Sequence, residues 1–342
     1  MQFGCDPEFF FVRKTKKNKR GTVIGAEKVL PAEGIRVTKG SFAGSKVIID
    51  GVQAELNPTA HVCRAYAGDA ISRSFKAIKQ ELDKKKLTIC WDPLVKVTKK
   101  EMKTLSEKSQ VFGCSPSLNA YGEEKTMPDP HTYLFRCAGG HLHLGDPKLK
   151  TMSKANIDKT VKVLDIIVGN TCVLIDRDPG NIERRKVYGR AGEYRRPAHG
   201  LEYRVLSNFW LQHYSLMSMV MGLARLGVAM ALDEHIAAQL LTAVTAADIR
   251  NAINNNDLDL AKKNWNAIKP IIIKESHPGY AEHSLTSENV DFFEFFANKG
   301  IKHWFKGNPM AHWTRRSFDG HASRGFERVL IEAVAPQMHA TP

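Results

Sequence analysis

The run Cys5-Asp6-Pro7-Glu8-Phe9-Phe10-Phe11 constrains the fold most. Three consecutive phenylalanines belong in a core. Strand alternation then puts Asp6 and Glu8 on one face, together with Phe10 and Val12. Carboxylates so placed are costly unless they are paired or bind a metal. Pro7 lacks the N–H that a sheet ladder needs, so this point is an edge or a bulge. Taken alone, the run fits a wetted strand end as well as a site.

Other segments repeat the pattern of an apolar strand with a polar row. Residues 2–12 predict one strand, 22–30 its returning partner, and 46–56 a further strand on which Gln53, Glu55 and Asn57 share a face. Asp50 precedes that row in an Asp-Gly turn signal. In Gly139-Gly140-His141-Leu142-His143-Leu144-Gly145, two imidazoles point one way, and the glycines allow a backbone or ligand to approach closely. Residues 176–200 read as an arginine-rich loop, followed by the short strand Leu201-Glu202-Tyr203-Arg204-Val205-Leu206 with Glu202 and Arg204 on one face. Guanidinium groups recognise phosphate and carboxylate, although a basic loop on a basic protein is the plainer reading.

Helical spacing covers residues 62–84 and 153–175, the second with Ser153 as N-cap. Residues 87–97, 110–121 and 132–145 read as extended, and the chain is mostly helical from 209 onward. Strands interrupted by single helices and followed by a helical half predict an α+β fold. Residues 111–117, Val-Phe-Gly-Cys-Ser-Pro-Ser, echo Gln2–Glu8 with serines in place of the acids, so this strand shape does not itself require charge.

The 342 residues suffice for a substantial core, and the net charge of +14 favours anionic partners. The lysine and arginine runs at 14–20, 84–86 and 96–108 carry no interleaved aromatics, which disfavours a base-stacking nucleic-acid platform. Six scattered cysteines without a CxxC suit buried thiols in a reducing cytoplasm, and the first residues lack a secretory-signal layout. The apolar stretch 216–232 contains Arg225 and is short for a span, so it is expected in the core rather than in a membrane. No P-loop, GxGxxG, HExxH or GxSxG pattern occurs.

Taken in order, these segments resemble the glutamine synthetase and glutamate–cysteine ligase superfamily, and most closely the phage-encoded carboxylate–amine ligases (COOH-NH2 ligase type 2). The resemblance rests on Asp6-Pro7-Glu8, Gln53-Ala54-Glu55, His141-Leu142-His143, the arginines 190 and 195, and Glu202-Tyr203-Arg204. It spans about residues 3–232. It implies a glutamine synthetase-like catalytic fold: a curved, mainly antiparallel sheet with helices on its outer face over 1–232, and a mostly helical extension over 233–342 packed on the same domain. There are departures. The first acid is Asp rather than Glu. The acid that usually precedes Gln-x-Glu is not in place, and Asp50 is nearer. The acidic strand stands at the start of the given sequence, where the synthetase has a small leading domain, so its ring assembly is not expected to carry over and an oligomer is left open.

The implied activity is an ATP-dependent carbon–nitrogen ligase forming an amide or isopeptide bond through an acyl phosphate. Asp6, Glu8, Glu55, His141 and Glu202 would hold Mg²⁺ or Mn²⁺. Arg190, Arg195 and Arg204 would serve catalysis, and His143, Arg136 and Arg204 would contact the nucleotide. The partners are ATP, a carboxylate-bearing substrate and an amine-bearing one. Two alternatives stand beside it: a metal-dependent phosphotransferase on the same fold, and a non-catalytic basic binding protein.

Overall fold

The computed structural model describes residues 1–39, 42–113, 117–124, 126–275, 293–294, 297–301 and 308–315. The expected first strand is two strands. β1 (Gln2–Cys5) and β2 (Glu8–Arg13) are separated at Asp6-Pro7, and they belong to different sheets. β3 (Thr22–Ile24), β4 (Ile35–Arg36), β5 (Lys46–Asp50) and β6 (Gln53–Asn57) follow. Then come β7 (Thr88–Cys90), β8 (Leu94–Lys96), β9 (Leu118–Asn119) and β10 (Phe135–Cys137), and finally β11 (Leu142–Gly145), β12 (Glu193–Arg195) and β13 (Gly200–Tyr203).

One antiparallel sheet has the order β1-β11-β13-β12-β9. A second has the order β3-β2-β6-β5-β4, with β7 also paired to β2, and β8 and β10 form a small ribbon. The chain crosses between the large sheets at the residue that cannot donate to a ladder. The Pro7 carbonyl accepts from Leu56 N at 2.9 Å, and Glu8 N donates to the Gly139 carbonyl at 2.8 Å, so the crossing is tied to both sides.

The phenylalanines explain why the crossing holds. Phe9, Phe10 and Phe11 are fully buried. Phe9 packs edge-on against Phe11 at 5.6 Å and lies 5.7 Å from Phe75 of the helix Arg64–Lys85. Phe10 faces a separate cluster with Val52, Val95, Val97 and Met102. Each buried ring contributes roughly 2–3 kcal/mol, which offsets the desolvation of the carboxylate beside them. The expected strand 46–56 is a hairpin, because Gly51 at φ +61° turns the chain between β5 and β6.

The expected helix 153–175 begins as read, with Ser153 Oγ accepting from Asn156 N at 3.3 Å. It is interrupted by a π-helical turn, Asp165–Gly169. There Tyr203, which alternates with Glu202 on β13, donates to Asp165 Oδ1 at 2.7 Å. The strand thus shows its acid to one side and anchors to the helical layer on the other. The arginine-rich segment contains the helix Gly180–Val187 and β12 rather than only a loop, and Arg184 is completely buried.

Among the described residues of 110–121, only Leu118–Asn119 is a strand, and Ser106 caps a short helix, Glu107–Gln110, before it. The echo at 111–117 falls partly on residues 114–116, outside the described residues, as does most of the chain beyond 275. The helix Tyr214–Leu232 is long and apolar enough to cross a membrane, but 89% of its apolar window is buried, as a core helix requires. A continuous apolar cluster runs from Phe3 through the helices 234–243, 246–254 and 258–275 to Trp313. The α+β class is borne out.

Candidate metal and phosphate site at the sheet junction

Pairing register alone assembles two rows. Across the first sheet, His143 faces Glu202, which faces Arg195. Across the second, Glu8 faces Glu55. The Asp6-Pro7 crossing sets the rows side by side. Asp6, His143 and Glu202 have ligand atoms within 4.8 Å of one another, and so do Glu8, Asp50 and Glu55. Glu55 feels the charges of Asp6, Glu8, Asp50 and Glu202, and Asp50 feels Arg195 and Arg204, so the two triads form one site.

In the first triad, Asp6 lies 3.1 Å from His143 Nε2 and 3.2 Å from His141 Nδ1. Burial works to raise the Asp6 carboxyl, but the two imidazoles reverse this and hold it well below its ordinary value. Burial presses His141 down, whereas the hydrogen bond to Asp6 overcomes burial and lifts His143. Glu202, only 4% exposed, forms an ion pair with Arg204, whose Nε lies 3.2 Å away, and sits 3.5 Å from Arg195 and 3.7 Å from His141.

The second triad is made of three carboxylates, Glu8, Asp50 and Glu55. Burial, reinforced by Asp50, pushes Glu8 up to about 8. Burial and the neighbouring acids push Glu55 up to about 10. Glu8 is gripped by its surroundings: Gly139 N donates to Oε2 at 2.6 Å, the Tyr188 hydroxyl donates to the same oxygen, and Asn208 Nδ2 donates to the Glu8 carbonyl at 2.9 Å. Gly140 is required by close approach. A Cβ there would lie 2.3 Å from the Ser207 carbonyl oxygen and 2.4 Å from Trp210 Nε1.

The structure brings together Asp6, Glu8, Glu55, His141, His143, Glu202, Arg195 and Arg204. Two expected residues lie apart. Arg136 is a structural residue: its terminal nitrogens donate to the carbonyls of Tyr133, Phe135, Gln110 and Pro130, and it stacks 5.0 Å over Phe112. With those donors consumed by backbone, it does not reach the junction. Arg190 turns to Glu123, 3.9 Å away and shared with Arg250.

Asp50, noted from sequence as a turn residue and as the acid nearest to the one missing before Gln-x-Glu, is in the second triad. Two further contributors were not singled out from sequence. His199 Nε2 meets His143 Nδ1 at 3.0 Å and so orients its ring. Tyr188 joins Glu8 to the cations, with Arg184 and Arg204 lying 5.1 and 5.7 Å from its ring centre. Only its place directly before Gly189 and Arg190 hints at this.

A family model, described as phage phiEco32-like COOH.NH2 ligase-type 2, matches residues 131–298, just under half of the chain. Over that span the chain is similar to this family. The match contains His141, His143, Arg190, Arg195, Glu202 and Arg204. The acids of the first 55 residues precede it and join the site through geometry alone. No curated protein matches the chain. Among solved structures, "Apo GmaS without ligand" aligns at 13% identity and a TM-score of 0.39, covering 87% of this chain and 68% of that one. "Crystal structure of novel glutamine synthase homolog" aligns at 12% and 0.33, covering 87% and 70%. Both scores are below the level of a shared overall architecture, so the family match and the site carry the functional reading.

The raised carboxyls predict a pH dependence. Glu8 and Glu55 ordinarily lose their protons near 4.5 and keep them in this fold to about 8 and about 10. The folded state therefore holds more protons than the unfolded one between those values. The metal-free protein is most stable below pH 4.5 as far as these groups are concerned, and it loses that contribution as pH rises through the folded values. A divalent ion must displace the same protons, so its affinity should climb with pH. Melting curves with and without Mg²⁺ should show a stabilisation that grows severalfold from about pH 6 to about pH 9. A metal-induced shift that is flat or shrinking over this range would contradict the assignment.

Proposed function

We propose that the chain is an ATP-dependent carboxylate–amine ligase that works through an acyl phosphate, with its metal and phosphate chemistry at the sheet junction. The observation that carries this reading is the pair of carboxylate-rich triads meeting at Asp6-Pro7, with Arg195 and Arg204 on the flank. Buried, clustered acids with elevated proton affinity match what a hard divalent ion requires. The fit is in the donor set: Glu8, Asp50 and Glu55 give an all-oxygen site, while Asp6, His143 and Glu202, with His141 adjacent, give a mixed one.

When bound, Mg²⁺ or Mn²⁺ would neutralise charge between the nucleotide phosphates and the attacking anion. The protein's own groups do the remainder. Arg204, held by Glu202 and stacked at Tyr188, presents a fixed guanidinium to the transferring phosphoryl group, and Arg195 adds a second. The substrate carboxylate oxygen attacks the γ-phosphorus, the bond to the β–γ bridging oxygen breaks, and ADP leaves. The amine then attacks the acyl carbon, phosphate departs, and the amine loses a proton. His143, fixed between Asp6 and His199, holds the nucleotide-facing edge of the first triad.

The test is incubation with ATP, Mg²⁺, a panel of amino and dicarboxylic acids, and hydroxylamine as surrogate amine. Acyl transfer predicts a hydroxamate formed in step with ADP. ADP release that requires an acceptor but yields no hydroxamate or amide would favour the phosphotransferase and overturn the ligase.

A further inference from the structure

We propose that the β2–β3 end of the second sheet is a docking surface for the phosphate backbone of duplex nucleic acid. This goes beyond the ligase reading and stands without it. The turn between β2 and β3 carries six exposed cations in eight residues, Arg13, Lys14, Lys16, Lys17, Lys19 and Arg20, with no acid among them. Two other basic segments, distant in sequence, fold to the same end. Val12 pairs with Val23 across the hairpin and with Thr88 on β7, directly after the exposed Lys86 that closes the helix Arg64–Lys85. Val23 N also donates to Glu101 Oε1 at 3.1 Å, which fixes the short helix bearing the exposed Lys99 and Lys100, with Lys103 just beyond it.

The acids near this end are committed elsewhere. Glu101 is held by the Thr98 and Val23 amides. Glu27 is held by Ser106 N at 2.9 Å and Ser109 Oγ at 2.7 Å. Glu81 pairs with Lys84 at 2.8 Å, and Asp83 pairs with Lys79. On the helical side, by contrast, exposed lysines have carboxylate partners: Lys154 with Asp158 at 2.6 Å, Lys186 with Glu183 at 2.6 Å, and Lys263 with Asp248 at 3.6 Å. The exposed cations of these segments outnumber Glu101 and Glu27, so the hairpin end keeps a positive field.

The partner's chemistry follows from what the surface lacks. None of the large exposed apolar side chains lies in these three segments, so the aromatic or aliphatic anchors of a protein interface are missing. Lysine dominates, as in point-charge contact with phosphates rather than fork-shaped recognition. The absence of aromatics disfavours stacking on splayed bases but costs nothing for a backbone reader. A two-stranded ribbon with a basic tip also has the width that a major groove admits.

The experiment is fluorescence anisotropy with an about 20-base-pair duplex over a salt series, alongside poly-L-glutamate and phosphatidylserine vesicles. Wild type should bind the duplex near ~10⁻⁶ M at about 50 mM salt, with a log–log slope of about −4 to −5 for about five phosphates neutralised. Triple reversal Lys16→Glu, Lys17→Glu and Lys19→Glu should weaken binding at least ~10-fold and flatten the slope by about 3. The same charge change at Lys154, Lys186 and Lys263 should leave both nearly unchanged. Absence of duplex binding, equal loss in both triple variants, or tighter binding of poly-L-glutamate or vesicles would each overturn the proposal. Circular dichroism of each variant separates lost binding from lost folding.

Discussion

Glu202→Gln should lower metal-dependent turnover by about 10³-fold while leaving a folded protein. This carboxylate sits at the centre of the contacts that make the junction a site. It faces Arg195 and His143 across the sheet, pairs with Arg204 at 3.2 Å, and completes the triad with Asp6. Gln keeps the shape and removes the charge. It removes one of the proposed metal ligands, and its amide nitrogen confronts one of the guanidinium groups that Glu202 now pairs with. Breaking a buried ion pair costs roughly 3–5 kcal/mol, so the melting temperature should fall as well. The large core running from Phe3 to Trp313 should still carry the fold. Circular dichroism and turnover together check this. Unimpaired turnover in a folded variant would remove Glu202 from the site.

Arg204→Lys should cost about 10²-fold in turnover, although the charge is retained. Arg204 is completely buried, with its Nε on Glu202 and its guanidinium 5.7 Å from the Tyr188 ring centre. An ammonium cannot contact the acid, lie beside the ring and present a second N–H pair to a phosphate at once. The loss should fall on kcat and on KM for ATP, because the arginine is assigned to the phosphoryl group. Steady-state kinetics with varied ATP read this directly, and unchanged constants would contradict the role.

Much of this site could be read from polar rows on apolar strands. Strand alternation placed Glu202 beside Arg204 and His141 beside His143, and register then joined rows whose members lie far apart in sequence. The sheet change at Asp6-Pro7 was only half legible. Pro7 signalled an edge, but a single uninterrupted strand was the simpler reading, and nothing local says that the next residues join another sheet. Asp50 was ambiguous, because it is the acid nearest to the one missing before Gln-x-Glu but Asp-Gly is also the ordinary chemistry of a turn, and only the β5–β6 hairpin shows that the turn delivers the acid to Glu8. Tyr188 and His199 act through other side chains, and such partners have no periodicity to reveal them. Arg136 misled for the converse reason. A buried arginine satisfied by backbone carbonyls looks the same in sequence as one aimed at a phosphate.

The most direct test of the junction is calorimetric titration of Mn²⁺ into the full chain, with and without a non-hydrolysable ATP analogue, in wild type and in Glu8→Gln/Glu55→Gln. Saturable Mn²⁺ binding in wild type is expected, strengthened by the nucleotide and weakened at least ~10-fold in the double variant while it stays folded. Wild-type protein that binds neither Mn²⁺ nor the analogue, or a double variant that binds Mn²⁺ as tightly as wild type, would contradict the account.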